Sequence, residues 1–139
     1  MLELGSLIKA IQALGRALNV SNKAESSGTA SPDEKETIRS GVIQNFKFTY
    51  ELCWKFMKRW IEEHVSSGIV DGVPRNELFR VAAENRLIEN VEAWMEFHKA
   101  RNKTSHIYDE AIAAVVYQAA ISFLPAAKAL QKNLESRNA

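Results

Sequence analysis

The chain has 139 residues, 46% of them apolar and 25% charged, with 18 basic against 17 acidic side chains. This is the length of one domain (1–139), enough to bury a real core, with the composition of an ordinary globular protein and not a disordered one. The net charge of +1 excludes a bulk electrostatic nucleic-acid or membrane binder, and the one cysteine, Cys53, excludes an intrachain disulfide.

In chain order, Leu4, Leu7, Ile8, Ile11, Leu14 and Leu18 recur at three and four, which predicts an amphipathic helix over roughly residues 2–20. The small polar run that follows, Ser26-Ser27-Gly28-Thr29 within it, predicts a mobile loop over 21–31. Ser31-Pro32-Asp33-Glu34 is a helix start: a capping Ser, Pro at the first position and Glu three residues after the cap. The helix it opens should run to about Val65. Phe46, Tyr50, Cys53, Met57 and Trp60 form one face, while Phe48, Leu52 and Phe56 lie well around the cylinder from it. A helix apolar around most of its girth is buried on more than one side, which predicts that a second copy covers the other side, as a homodimer. Cys53, inside Leu52-Cys53-Trp54, reads as a buried structural thiol.

Pro74 should open a short helix to about Glu84, with Asn85 closing it in the left-handed region. A further helix is expected over about 88–104, carrying Val91, Trp94, Met95 and Phe97. Asp109 should cap the last helix, whose apolar side includes Ile112, Val115, Val116, Ala119, Ala120 and Phe123. Pro125 should kink or break it. No β-type alternation is present. The fold class predicted is all-α, a four-helix up-and-down bundle with one additional short helix. No charged leader opens the chain and no apolar run approaches the ~20 residues of a membrane span, so the expectation is no membrane contact and a cytoplasmic location.

Between the last two long helices lies Arg101-Asn102-Lys103-Thr104-Ser105-His106-Ile107-Tyr108-Asp109-Glu110. A plain connection needs a cap and turn residues such as Gly, Asn or Pro. A guanidinium, an imidazole, a phenol and two carboxylates are surplus to that need. Each has an ordinary reading: Arg101 in a salt bridge to Asp109 or Glu110, His106 in a helix-end hydrogen bond, Tyr108 as half-buried packing. His64 and His98 read as surface helix residues. No tight pattern of His and carboxylates repeats, so the expectation is no metal and no cofactor. There is no Gly-rich phosphate loop and no serine with triad partners.

The same stretch resembles the signature of the HepT-like proteins of the HEPN superfamily, also described as nucleotidyltransferase substrate-binding proteins. Phe46-Lys47-Phe48-Thr49-Tyr50-Glu51-Leu52-Cys53-Trp54-Lys55 is similar to that family's aromatic helix, and Pro74-Arg75, Leu87-Ile88 and Trp94-Met95 to its middle section. The likeness covers about residues 40–120. It implies an all-helical dimer, usually encoded beside a small nucleotidyltransferase. It implies one of two roles: a ribonuclease toxin of a type VII-like pair with the nucleotidyltransferase as antitoxin, or a non-enzymatic substrate-binding subunit of that partner. In the first role the resemblance implies that Arg101 and His106 are the catalytic pair acting on RNA, and that Tyr108 is the residue modified with AMP by the partner. That activity is chemically consistent with the residues. Metal-independent cleavage uses the neighbouring 2′-hydroxyl as nucleophile and needs a base, an acid and charge stabilisation. The His106 imidazole can serve as base or acid near neutrality, and Arg101 can hold two phosphate oxygens. Asn102 is then a candidate orienting group and Lys103 a candidate for steering the backbone. One chain carries one motif His, so a symmetric dimer would supply the second. A purely structural helical bundle is the remaining alternative.

Overall fold

The computed structural model describes residues 1–138. Among these residues are five α-helices and one 3-10 turn: α1 (Gly5–Ser27), α2 (Pro32–His64), α3 (Arg75–Glu84), α4 (Val91–Asn102), the turn Lys103–His106, and α5 (Glu110–Ser136). Helices α1, α2, α4 and α5 form an up-and-down bundle, with the short α3 set against α2 and α4. The fold class expected from periodicity is the one observed.

The apolar stripe of α1 buries Leu7, Ile11, Leu14 and Leu18 against the rest of the bundle. Helix α2 begins with a complete capping box. The Ser31 hydroxyl accepts from the Glu34 amide and the Glu34 carboxylate accepts from the Ser31 amide, each at 3.1 Å. Phe46, Tyr50, Cys53 and Met57 are fully buried. At the centre, the Phe123 ring lies edge-on to Phe46 (5.1 Å between centroids), Trp94 (5.5 Å) and Phe97 (5.1 Å). Such edge-to-face pairs are favoured beyond their area burial. Burial alone pushes the Cys53 thiol pKa up, as expected of a structural cysteine.

Several expectations are corrected. The stretch 21–31 is not all loop: α1 continues to Ser27 and ends with Gly28 in the left-handed region (φ 69°). Ser21 is buried there and shares a short hydrogen bond with the Tyr117 hydroxyl of α5, a tertiary tie that holds a polar segment helical. Asn85 does not take the left-handed conformation; Arg86 does (φ 60°). Pro125 does not end α5, which runs on to Ser136. Pro125 lies exposed and faces the groove beside α1, so the carbonyl it leaves without a helical donor, that of Ile121, is on the solvent side. Val115 is exposed rather than on the core side. Helix α5 is long and apolar enough, by length and composition, to cross a membrane, contrary to the expectation of no such run. Its alanine-rich buried side, including Ala113, Ala120 and Ala127, is core of the bundle.

The second apolar side of α2 is narrower than the girth argument implies. Phe56 is 2% exposed within the chain's own core, and only Phe48, at 53%, stands out to solvent. Leu52 and Trp54 are half-buried.

Candidate functional site

The polar stretch is built as a broken helix. Helix α4 opens on Asn90, whose side-chain oxygen accepts from the Ala93 amide, and closes at Asn102. The chain then tightens into the 3-10 turn, with the Thr104 hydroxyl donating to the Arg101 carbonyl at 2.8 Å. The Asp109 carboxylate caps α5 by accepting from the amides of Ala111 (2.9 Å) and Ile112 (3.2 Å), as the sequence suggested. That carboxylate occupies the amides an anion would otherwise use. His106 and Tyr108 lie between the two helices and free of helical spacing. Both are exposed, Tyr108 at 83%. Their side chains meet at 3.4 Å between the phenol oxygen and Nδ1, with the rings edge-on.

Arg101 belongs to a different environment. It is half-buried, and its Nε–H donates to the Glu51 carboxylate of α2, not to Asp109 or Glu110. Glu110 is taken instead by Arg39 of α2, which donates from both terminal nitrogens at 3.0 Å. That pairing holds the Glu110 carboxyl below the usual carboxylate range. Glu51 also accepts from the Trp54 indole N–H at 3.0 Å. Burial pushes the Glu51 carboxyl up, but the hydrogen bonds from Arg101 and Trp54 and the nearby positive charges outweigh it, and its pKa is lowered.

Next to this pair stands a second one that sequence reasoning missed. The Tyr50 hydroxyl and His98 Nδ1 are 2.8 Å apart, and His98 Nε2 faces the Asn102 amide nitrogen at 3.4 Å. Protonation of the neutral ring at Nδ1 satisfies both contacts, since Nε2 is then free to accept. His98 is therefore not a plain surface residue. Burial, and then the charge of Arg75, lower its pKa. Burial also raises the Tyr50 phenol. Arg75, at the start of α3, stacks its guanidinium 3.6 Å from the centre of the Trp54 ring, and its buried Nε–H has no hydrogen-bond partner.

The structure thus joins His106 to Tyr108 and Asn102 to His98. It ties Arg101 back to α2 and leaves Lys103 apart. Lys103 lines a groove of about 280 Å³ between α4 and α5 with Lys99, Val115 and Ser122. Among the described residues no hydrogen bond joins the Arg101 and His106 side chains, and no group of three His, Cys, Asp or Glu is placed to hold a metal. A concavity of about 1100 Å³ between α1 and α5 contains no residue of the stretch. The missed residues, Glu51, Tyr50, Arg75 and His98, lie on three helices. The one local signal available was the spacing of Glu51 three positions before Trp54 on α2.

The model of the family described as nucleotidyltransferase substrate binding protein like matches residues 2–136. The chain belongs to this HepT-like family. It is 32% identical over 105 residues, 75% of this chain and 72% of the other, to a Haemophilus influenzae protein named probable ribonuclease HepT. A solved Haemophilus influenzae structure superposes with a TM-score of 0.90 at 27% identity, over 96% of this chain and 99% of that one. It is described as revealing the fold of a substrate binding domain of a nucleotidyltransferase. A Thermus thermophilus structure shares the fold, with a TM-score of 0.64 at 21% identity over 87% of this chain and 98% of that one.

Proposed function

We propose that this chain is an endoribonuclease toxin that cleaves RNA without a metal, acts as a homodimer, and is silenced by a partner nucleotidyltransferase that attaches AMP to Tyr108. The observation that carries this reading is the open α4–α5 connection, where a guanidinium is tethered at the end of one helix and an imidazole and a phenol stand in solvent before the next. The kinship with a protein named probable ribonuclease HepT supports the reaction class. The kinship with a substrate binding domain of a nucleotidyltransferase supports the class of partner.

In the proposed reaction the 2′-oxygen forms a bond to phosphorus, its proton passes to a base, and the bond from phosphorus to the 5′-oxygen breaks as an acid protonates that oxygen. The products are a 2′,3′-cyclic phosphate and a 5′-hydroxyl. His106 takes one proton transfer and Arg101 stabilises the charge that grows on the phosphorane. The motif His of a second copy takes the other transfer. The exposed Phe48 and the half-buried Leu52 and Trp54 on α2 are the apolar surface offered to that copy. Asn102 orients the substrate or its neighbours. Lys103, on the α4–α5 groove, contributes at most long-range attraction for the RNA backbone. An AMP on Tyr108 would set a phosphodiester charge beside His106, repel the RNA phosphate and compete for Arg101.

Purified protein should cleave single-stranded RNA in the presence of chelator, and His106→Ala should lower the rate by about 10²–10⁴-fold. Tyr108→Phe should remain active and escape inhibition by the nucleotidyltransferase and ATP. A non-enzymatic binding subunit would present the same exposed connection to the nucleotidyltransferase and leave RNA intact, so absence of cleavage by the wild-type dimer decides for that reading.

A further inference from the structure

We infer that Glu51 is the positioning residue for Arg101, holding its guanidinium by the inner nitrogen so that the two terminal nitrogens face the RNA phosphate. This rests on the ribonuclease reading for its consequence in catalysis. The geometry stands without it.

Arg101 is bonded to Glu51 through Nε, and among the described residues neither terminal nitrogen donates a hydrogen bond to the protein. A guanidinium presents five N–H donors in a fixed planar fork, and the terminal pair is the edge that matches two oxygens of a phosphate. A structural ion pair made for its own sake is best as a two-point fork to carboxylate. Arg39 and Glu110 show that arrangement in this same fold, with both terminal nitrogens engaged. Arg101 is held in the other way. It is anchored on its stem side and left open at its tip.

The anchor is itself braced. The second donor to Glu51 is the Trp54 indole N–H, and the Trp54 ring is covered by the Arg75 guanidinium. The chain of contact therefore runs from α3 through Trp54 and Glu51 of α2 to Arg101 at the end of α4. Arg101 and Glu51 side chains are 30% and 28% exposed. They are dry enough for the bond to persist and open enough for a phosphate to reach the free edge. Arg101 sits in the last turn of α4, two residues before the 3-10 turn begins at Lys103, so the tether to α2 is what gives its head a defined place. The carboxylate does not touch the reacting atoms. It acts through Arg101.

The test uses the full chain and two measurements. The first is the ¹H–¹⁵N signal of the arginine Nε–H groups, with the Arg101 peak assigned by its loss in Arg101→Lys. Glu51→Ala should shift that peak and speed its exchange with water. Glu51→Gln, whose amide oxygen still accepts the Nε–H, should keep it protected. The second is cleavage of a single-stranded RNA. Glu51→Ala should lower kcat by about 10²-fold, the scale of a misplaced catalytic group, with little change in KM. Glu51→Gln should recover to within a few-fold of wild type. Trp54→Phe, which removes the N–H to Glu51 but keeps a ring under Arg75, should fall between them. Wild-type kcat in Glu51→Ala overturns the inference. So does a Glu51→Gln as inactive as Glu51→Ala with its Arg101 signal intact, because the carboxylate would then act chemically in its own right. If the wild type cleaves no RNA, the ribonuclease reading fails and the spectrum alone decides. A peak lost in Glu51→Ala and kept in Glu51→Gln supports the tether, and a peak unmoved in both overturns it.

Discussion

Arg101→Ala and His106→Ala should differ in stability although both belong to one short polar stretch. Arg101→Ala removes the partner of a half-buried carboxylate. Hydrogen bonds to charged groups contribute about 1.5–3 kcal/mol. The pair here is about 30% exposed on each side, and Glu51 keeps the Trp54 indole donor, so solvent screening and the remaining bond reduce the cost to about 1–2 kcal/mol. For 139 residues the unfolding entropy scale turns this into a fall in Tm of roughly 3–7 °C. His106 is exposed, and among the described residues its side chain makes one hydrogen bond, the 3.4 Å approach to Tyr108. Its removal should cost no more than about 0.5 kcal/mol.

The assay is urea unfolding of the wild type, both single variants, Glu51→Ala, and the double variant Glu51→Ala/Arg101→Ala. The double variant should be less destabilised than the sum of its parts, because the two residues lose one shared interaction. If Arg101→Ala is as stable as His106→Ala, or if the double variant is additive, the Arg101–Glu51 pair is not formed in solution and the reasoning fails. The result also bears on activity assays, since loss of function in Arg101→Ala needs a folding control that His106→Ala does not.

Three further outcomes are expected. Tyr50→Phe leaves the half-buried Nδ1 of His98 without its 2.8 Å partner and should cost about 1–3 kcal/mol in chemical unfolding; no measurable change would mean that water replaces the phenol. Because burial and the Arg75 charge depress the His98 pKa in the folded state, the unfolded chain binds the extra proton first as pH falls. The stabilisation from a neutral His98 is therefore fully present above the ordinary histidine value of about 6.5 and is lost as pH drops through the lowered folded value. His98→Gln should flatten this acid limb, and an unchanged limb would assign it to other groups. Phe123→Ala removes the ring shared by Phe46, Trp94 and Phe97 and should cost about 3–5 kcal/mol; a cost below about 1 kcal/mol in a urea melt would show that the core collapses around the gap.

What could be read from the sequence was local. The stripe of α1, the Ser31 capping box and the Asp109 cap each depend on residues within a few positions, and each stands as expected. The α4–α5 connection was visible for the same reason: its polar side chains are crowded into ten consecutive residues that a turn does not need. Pro125 and the 21–31 stretch were misread because tertiary setting overrode local preference, through a solvent-facing carbonyl in one case and the Ser21–Tyr117 tie in the other. The partner of Arg101 was sought in Asp109 and Glu110, the nearest acids along the chain. Yet those acids were already engaged, one as a helix cap and the other by Arg39 from 71 positions away. The acid that does hold Arg101 is 50 positions away, and the phenol that meets His98 is 48. Spacing along a helix cannot report such pairs, because they depend on how far one helix slides and turns against another. In this fold the groups proposed to react are thus marked by local sequence, while the groups that hold them come from helix packing, and a variant can lose the second set with the motif intact.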